Sequence, residues 1–344
     1  MGSGGPRPVR PPQLPVSLKD IPPTGPKGQP GGCDMQARER LQAVLRGDPV
    51  DRPPLALWHH FRSSRTPAEL AQATVDFFGR LELDIFKVMP DLPYPEPEGG
   101  LSEAAAWRDL PLLPDDSGRL AEIAETVALV RQARPDAAIV QTVFSPLATA
   151  IRLVGGRDRL ADHLEEDARA VHQGLAVIAD NLARLGAACI RRGADGMYFA
   201  TAGQADGLFD ARTYASIGRP YDLQALAGCG AGWLNVVHMH GGAQLNWDWA
   251  ADYPAQVFSW SDRQTGVPLA EVAQRLPART VMGGIDEFGA IMRGDMDAVA
   301  AEMHDAVRQM GGRRLILAGG CSVPDEIDEA HLAATRRLVD QLAG

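Results

Sequence analysis

Eight times between residues 54 and 318, a short apolar run rich in β-formers gives way to a longer stretch with apolar residues at helical spacing. A chain that alternates in this way folds as a parallel sheet covered by helices, because each strand needs an apolar cover on its face and each helix a surface on which to bury its stripe. The predicted strands are residues 54–57, 84–89, 138–143, 196–201, 234–238, 256–260, 280–283 and 315–318. Predicted helices between them cover 67–81, 120–133, 159–191, 213–227, 269–275 and 296–310, and 331–342 follows the last strand. Thr66-Pro67-Ala68-Glu69 combines a cap residue, Pro at the first helical position and Glu three residues after the cap. No Gly-rich dinucleotide turn follows the first strand, so the pattern favours a closed (β/α)8 TIM barrel of the α/β class over an open doubly wound sheet.

The barrel is expected to form a single domain over residues 35–344. Residues 1–34 (PRPVRPPQLP, IPPTGPKGQPGG) are crowded with Pro and Gly and hold too little apolar content to offset the entropy of ordering, which predicts a disordered tail. Met35 then opens MQARERLQAVLRGD at helical spacing and is a candidate translation start. A net charge of −10, with no Lys/Arg cluster, excludes nucleic acid as an expected partner. No apolar run is long enough to span a bilayer and no secretory h-region stands at the N-terminus, so a cytoplasmic location is expected. Cys33, Cys189, Cys229 and Cys321 lack the density of a disulfide framework; Cys229, between two glycines, marks a helix end.

Barrel enzymes carry their chemistry on the loops that follow the strands, and reactive residues gather there. His59 and His60 follow strand one, Asp91 strand two, His238-Met239-His240 strand five, Asp262 strand six, Asp286 strand seven and Cys321 strand eight. His163, His172, His304 and His331 fall in helical patterns and read as packed or solvated helix residues. Alternate strand residues share a face, so His238 and His240 can converge and Cys321 can meet them across a barrel mouth. Two imidazoles and one thiolate would hold zinc with a fourth position open for substrate or water. The same residues also fit a plainer arrangement, in which His238 pairs with a carbonyl, His240 lines a pocket and Cys321 packs as a small hydrophobe. Asp91, just beyond a buried strand, suits a general acid or base, a binder of a polar group, or a helix cap.

The segments ERLQAVLRGDPVDRPPLALWHHF, LDIFKVMPD, TVFSPLATAIRLVGG, GADGMYFAT, NVVHMHGG, FSWSDRQTG, VMGGID and LILAGGCSVP occur in an order that resembles the uroporphyrinogen decarboxylase superfamily. The resemblance runs from Met35 to the C-terminus and implies a (β/α)8 fold. It also implies one of two chemistries: decarboxylation, or zinc-dependent methyl transfer between corrinoids and thiols. A decarboxylase of this kind carries an Arg-rich segment after strand one, an Asp after strand two, a Tyr in the third loop and a His after strand eight. Here those positions hold Trp58-His59-His60-Phe61, Asp91, Arg152 and Cys321, so only the aspartate matches. Loss of the arginines removes the bidentate partners that a polycarboxylate substrate requires. The methyltransferase branch shows His-x-Cys after strand five and Cys after strand eight as zinc ligands, which His238-x-His240 and Cys321 match with one thiolate exchanged for imidazole.

The resemblance therefore implies a methyltransferase with Zn2+ on His238, His240 and Cys321, a small thiol substrate, and a corrinoid carried by a separate protein as the methyl source. Asp91 is the expected catalytic residue, and His59, His60, Arg152, Tyr198 and Asp262 the expected substrate-pocket lining. Metal-free decarboxylation through Asp91, with Arg152 holding a carboxylate, is the alternative. A metabolite-binding barrel without catalysis is a third. The oligomeric state is left open.

Overall fold

A computed structural model describes residues 35–202, 209–242 and 245–342. The Pro/Gly-rich segment 1–34, with Cys33, lies outside the described residues. Eight parallel strands make up the sheet: β1 Leu55–Ala56, β2 Ile85–Val88, β3 Ala138–Phe144, β4 Gly196–Ala200, β5 Val236–His238, β6 Val257–Ser259, β7 Thr280–Ile285 and β8 Leu315–Gly319. Their order is β1-β8-β7-β6-β5-β4-β3-β2, every ladder parallel, as expected of a (β/α)8 barrel.

The remaining seam, between β1 and β2, is closed by Asp84 through both its backbone and its side chain. Asp84 donates its backbone N–H to the Leu55 carbonyl at 3.0 Å, and its Oδ2 accepts the Leu55 N–H at 2.8 Å. Arg40 and Arg52 donate to the same carboxylate at 2.6 and 2.8 Å, so this buried charge is paired. Arg40 belongs to the helix Ala37–Arg46, which covers the N-terminal end of the barrel with Leu41, Val44 and Leu45 buried. Arg314, just before β8, ties that helix down through the carbonyls of Leu45 and Arg46. The opposite, C-terminal end of the barrel carries the loops.

Most helices lie where periodicity put them, with differences that have local causes. The Thr66 capping box forms, with Thr66 Oγ1 accepting from Glu69 N–H at 3.3 Å and Glu69 returning a bond to the Thr66 N–H at 3.0 Å. The stretch predicted as one helix over 213–227 is two, Ala211–Ile217 and Arg219–Leu226, because Pro220 starts a new helix and cannot continue the old one. The long helix Arg157–Arg191 leaves helical geometry at Asp167, whose side chain caps the second part through the Ala170 N–H at 3.0 Å. A helix Pro146–Val154, capped by Ser145, occupies what read as loop after strand three. Cys229 sits at the end of a 3-10 turn and donates its thiol to the Leu226 carbonyl.

Candidate active site

Strand β2 is buried along its whole length, yet its third residue is a lysine. Lys87 is 3% exposed, and its Nζ lies 4.2 Å from the centre of the Tyr198 ring and 4.9 Å from that of Trp58. Its one hydrogen bond among the described residues runs to Met89 Sδ at 3.3 Å. Aromatic faces attract a cation but do not replace water. Burial accordingly pulls the ammonium down to about 7, against the opposing pull of Cys321 and Asp91. Lys87 was not among the residues expected from sequence, although a lysine inside a buried strand is itself a signal.

His238 ends β5 and is 2% exposed. Its ring stacks on Tyr198, centres 5.6 Å apart and planes at 26°, while Nδ1 lies 3.4 Å from Ser259 Oγ. Nε2 is buried with no hydrogen-bond partner among the described residues. Burial first, then His240 and Lys87, push this imidazole down to about 3, so it is neutral near pH 7. The His240 ring lies 5.7 Å from that of His238, exposed beyond the strand end. Cys321 is on the loop after β8, its thiol pushed up chiefly by burial and drawn down by Lys87. His238 and Cys321 thus each lie within electrostatic reach of Lys87. Among the described residues, no three His, Cys, Asp or Glu side chains stand close enough to share a metal ion as they are oriented. The donor types suit zinc, and the buried Nε2 of His238 is the atom that calls for a partner.

Glu287 was also missed. It is fully buried, accepts from Ser261 Oγ at 2.8 Å and from the Gly320 N–H at 3.0 Å, and so pins the loop that ends in Cys321. A Cβ on Gly320 would fall 2.3 Å from Ser261 Cα, so the loop passes here only as glycine. Neighbouring Asp286, which drew attention in the sequence, accepts from Gln264 and the Phe288 N–H and shapes the turn.

The other expected residues divide. His60 and Asp91 meet: His60 Nδ1 and Asp91 Oδ1 are 2.6 Å apart, and Asp91 Oδ2 accepts the Phe61 N–H at 2.6 Å. His59, expected in the pocket, turns the other way; its Nδ1 bonds the His60 carbonyl and its ring packs edge-on against Phe61 and Phe77. Asp262 likewise leaves the mouth. It is 5% exposed, accepts the Gly284 N–H at 2.9 Å and is pushed up to about 6 by burial, which makes it a prop between β6 and β7. Arg152 points to the Tyr94 carbonyl and Glu96. Tyr198 stands inside the cluster, held up well above its ordinary value by burial, its hydroxyl 3.4 Å from Ser259 Oγ. Of the helix histidines, His163 accepts from Trp107 and His172 bonds Tyr221, both packing roles.

A parallel eight-stranded barrel with titratable side chains collected at the C-terminal ends of its strands defines a TIM-barrel enzyme architecture. Residues 87–342 match the sequence profile of uroporphyrinogen decarboxylase (URO-D), and the chain belongs to that family. Among solved structures it is similar to a methyltransferase from Methanosarcina mazei, with a TM-score of 0.74 and 16% identity over 90% of this chain and 100% of the other. It is also similar to a B12-independent methionine synthase from Shewanella sp. W3-18-1, with a TM-score of 0.56 and 13% identity over 87% and 96% of the two chains. At such identities the likeness is one of fold. No curated protein sequence matches the chain. No helix among the described residues is long and apolar enough to cross a membrane.

Proposed function

We propose that this URO-D-family barrel transfers a methyl group to a small thiol, with His238, His240 and Cys321 holding Zn2+. The observation that carries the reading is the buried Nε2 of His238, unpartnered among the described residues, at the C-terminal end of the barrel, where His238 and Cys321 both lie within electrostatic reach of Lys87. A buried ring nitrogen without a partner is costly to keep and fits a site completed by a cation. His240 is exposed and so not locked by packing, which leaves it able to turn toward such an ion.

Zinc bound there would supply Lewis acidity that stabilises a substrate thiolate near neutral pH. The chain's own residues do the rest. Ser259 orients His238 through Nδ1, and Glu287 fixes the backbone before Cys321. Trp58, Tyr198 and Met89 exclude water from the floor of the site. The thiolate sulfur attacks the methyl carbon, an S–CH3 bond forms, and the electron pair of the broken bond leaves with the donor, a corrinoid carried by a separate protein.

Decarboxylation through Asp91 has less support, because both oxygens of that carboxylate are engaged and Arg152 is turned toward Tyr94 and Glu96. The two readings separate with methylcobalamin and 2-mercaptoethanol as probes, following loss of the methyl–cobalt absorbance. The methyl-transfer reading expects turnover that a zinc chelator abolishes and that falls at least about a hundredfold in Cys321→Ser. Absence of methyl transfer, with CO2 released from a carboxylated substrate in the presence of chelator, would favour decarboxylation.

A further inference from the structure

An acid–base pair bridges the loops that follow β1 and β2. His60 Nδ1 is 2.6 Å from Asp91 Oδ1, and the other Asp91 oxygen is anchored by the Phe61 N–H, so the carboxylate is fixed at both ends. Its side chain is 7% exposed and that of His60 22%, which leaves the imidazole partly open to the mouth. The backbone is fixed as well: His60 N–H donates to Asp325 at 3.2 Å, Arg62 pairs with the same Asp325, and the His60 carbonyl bonds His59 Nδ1. A carboxylate on Nδ1 selects the tautomer that carries its proton there and leaves a lone pair on Nε2, the atom from which a histidine base works.

Two observations set this pair beside the cluster. Val323 donates its N–H to the Trp58 carbonyl at 2.9 Å, joining the backbone two residues beyond Cys321 to that two residues before His60. The Asp91 charge also acts on buried Lys87, which in turn feels Cys321.

We infer that His60, oriented by Asp91, takes the proton of the thiol substrate as it binds, an inference that rests on the thiol reading above. In this step the S–H bond breaks, sulfur keeps the electron pair, and the proton forms an N–H bond at His60 Nε2. Asp91 balances the imidazolium charge, and the proton passes to water after methyl transfer. His60 is the group that touches the substrate; Asp91 is a positioning residue.

The test is a proton count. Isothermal titration of the zinc-loaded protein with 2-mercaptoethanol near pH 8, in buffers of different ionisation enthalpy, gives the protons released per thiol bound. Wild type should release fewer protons per thiol bound than His60→Gln and Asp91→Asn, which should release about one. Release of about one proton by wild type as well, with binding intact, would overturn the dyad while leaving the thiol site standing. Failure of wild type to bind the thiol would overturn the underlying reading and this inference with it. Nitrogen NMR of wild type supplies a readout independent of variant folding: His60 should be the Nδ1–H tautomer, and an Nε2–H tautomer would contradict the role.

Discussion

Lys87 shows how one residue can set the character of a site. With its folded-state value near 7 and its ordinary value at 10.5, the native protein binds fewer protons than the unfolded chain between those limits, so the lysine's effect on stability improves as pH rises through that window. Its cost is full below about 7 and fades toward 10.5. Asp222 and Asp262, raised by burial to about 7 and about 6, act in the opposite sense, since stability falls as pH rises from 3.8 through those values. Comparison with Lys87→Met cancels them. Urea unfolding should find the variant more stable than wild type by about 2 kcal/mol near pH 6, with the advantage nearly gone near pH 10. An advantage that does not change with pH would mean that the ammonium is hydrated. Lys87 faces the same space as Tyr198, His238 and Cys321, so the strained ammonium stands among the site's reactive groups. The residue types at the strand ends were legible because reactive groups are few and their positions periodic. Their directions were not. His59 and His60 are adjacent, yet one packs against Phe77 and the other meets Asp91, a choice made by the packing of the helix Pro67–Arg80 and the β2 loop around them.

Among elements, close approach decides what sequence alone could not. Strands were readable because burial on both faces makes them apolar throughout, and helix starts because Thr66 and its partners cap locally. Breaks inside predicted helices required Pro220 and Asp167 to be weighed against an uninterrupted apolar stripe, and the stripe misled. The long helix Arg157–Arg191 is held to the turn before β5 by contact at Gly228, where a Cβ would lie 1.9 Å from the Ala183 carbonyl oxygen. Gly228→Ala should therefore destabilise the protein by about 2–3 kcal/mol, seen as a lower urea midpoint with an unchanged slope. An unchanged midpoint would show that the two elements separate without cost. The Glu287 clamp on Gly320 is similar: the sequence offered Asp286 as the more visible carboxylate, and only the packing of β7 against β8 turns its neighbour inward.

For the whole molecule, the barrel places β8, β1 and β2 side by side, and that adjacency unites residues as distant in sequence as His60, Lys87 and Cys321. Eightfold alternation was enough to indicate the architecture; closure through the Asp84 carboxylate was not legible, since nothing local distinguishes that aspartate from Asp91. The same end of the barrel holds a neutral buried histidine, a thiol, a buried ammonium and a carboxylate–imidazole pair, a collection suited to making and protecting a thiolate. Zinc on His238, His240 and Cys321 is the central claim, and elemental mass spectrometry of the purified protein tests it most directly. The account predicts near-stoichiometric zinc in wild type that is lost in Cys321→Ser and His238→Ala. Wild type that takes up no zinc when offered it, or variants that retain it fully, would contradict the account.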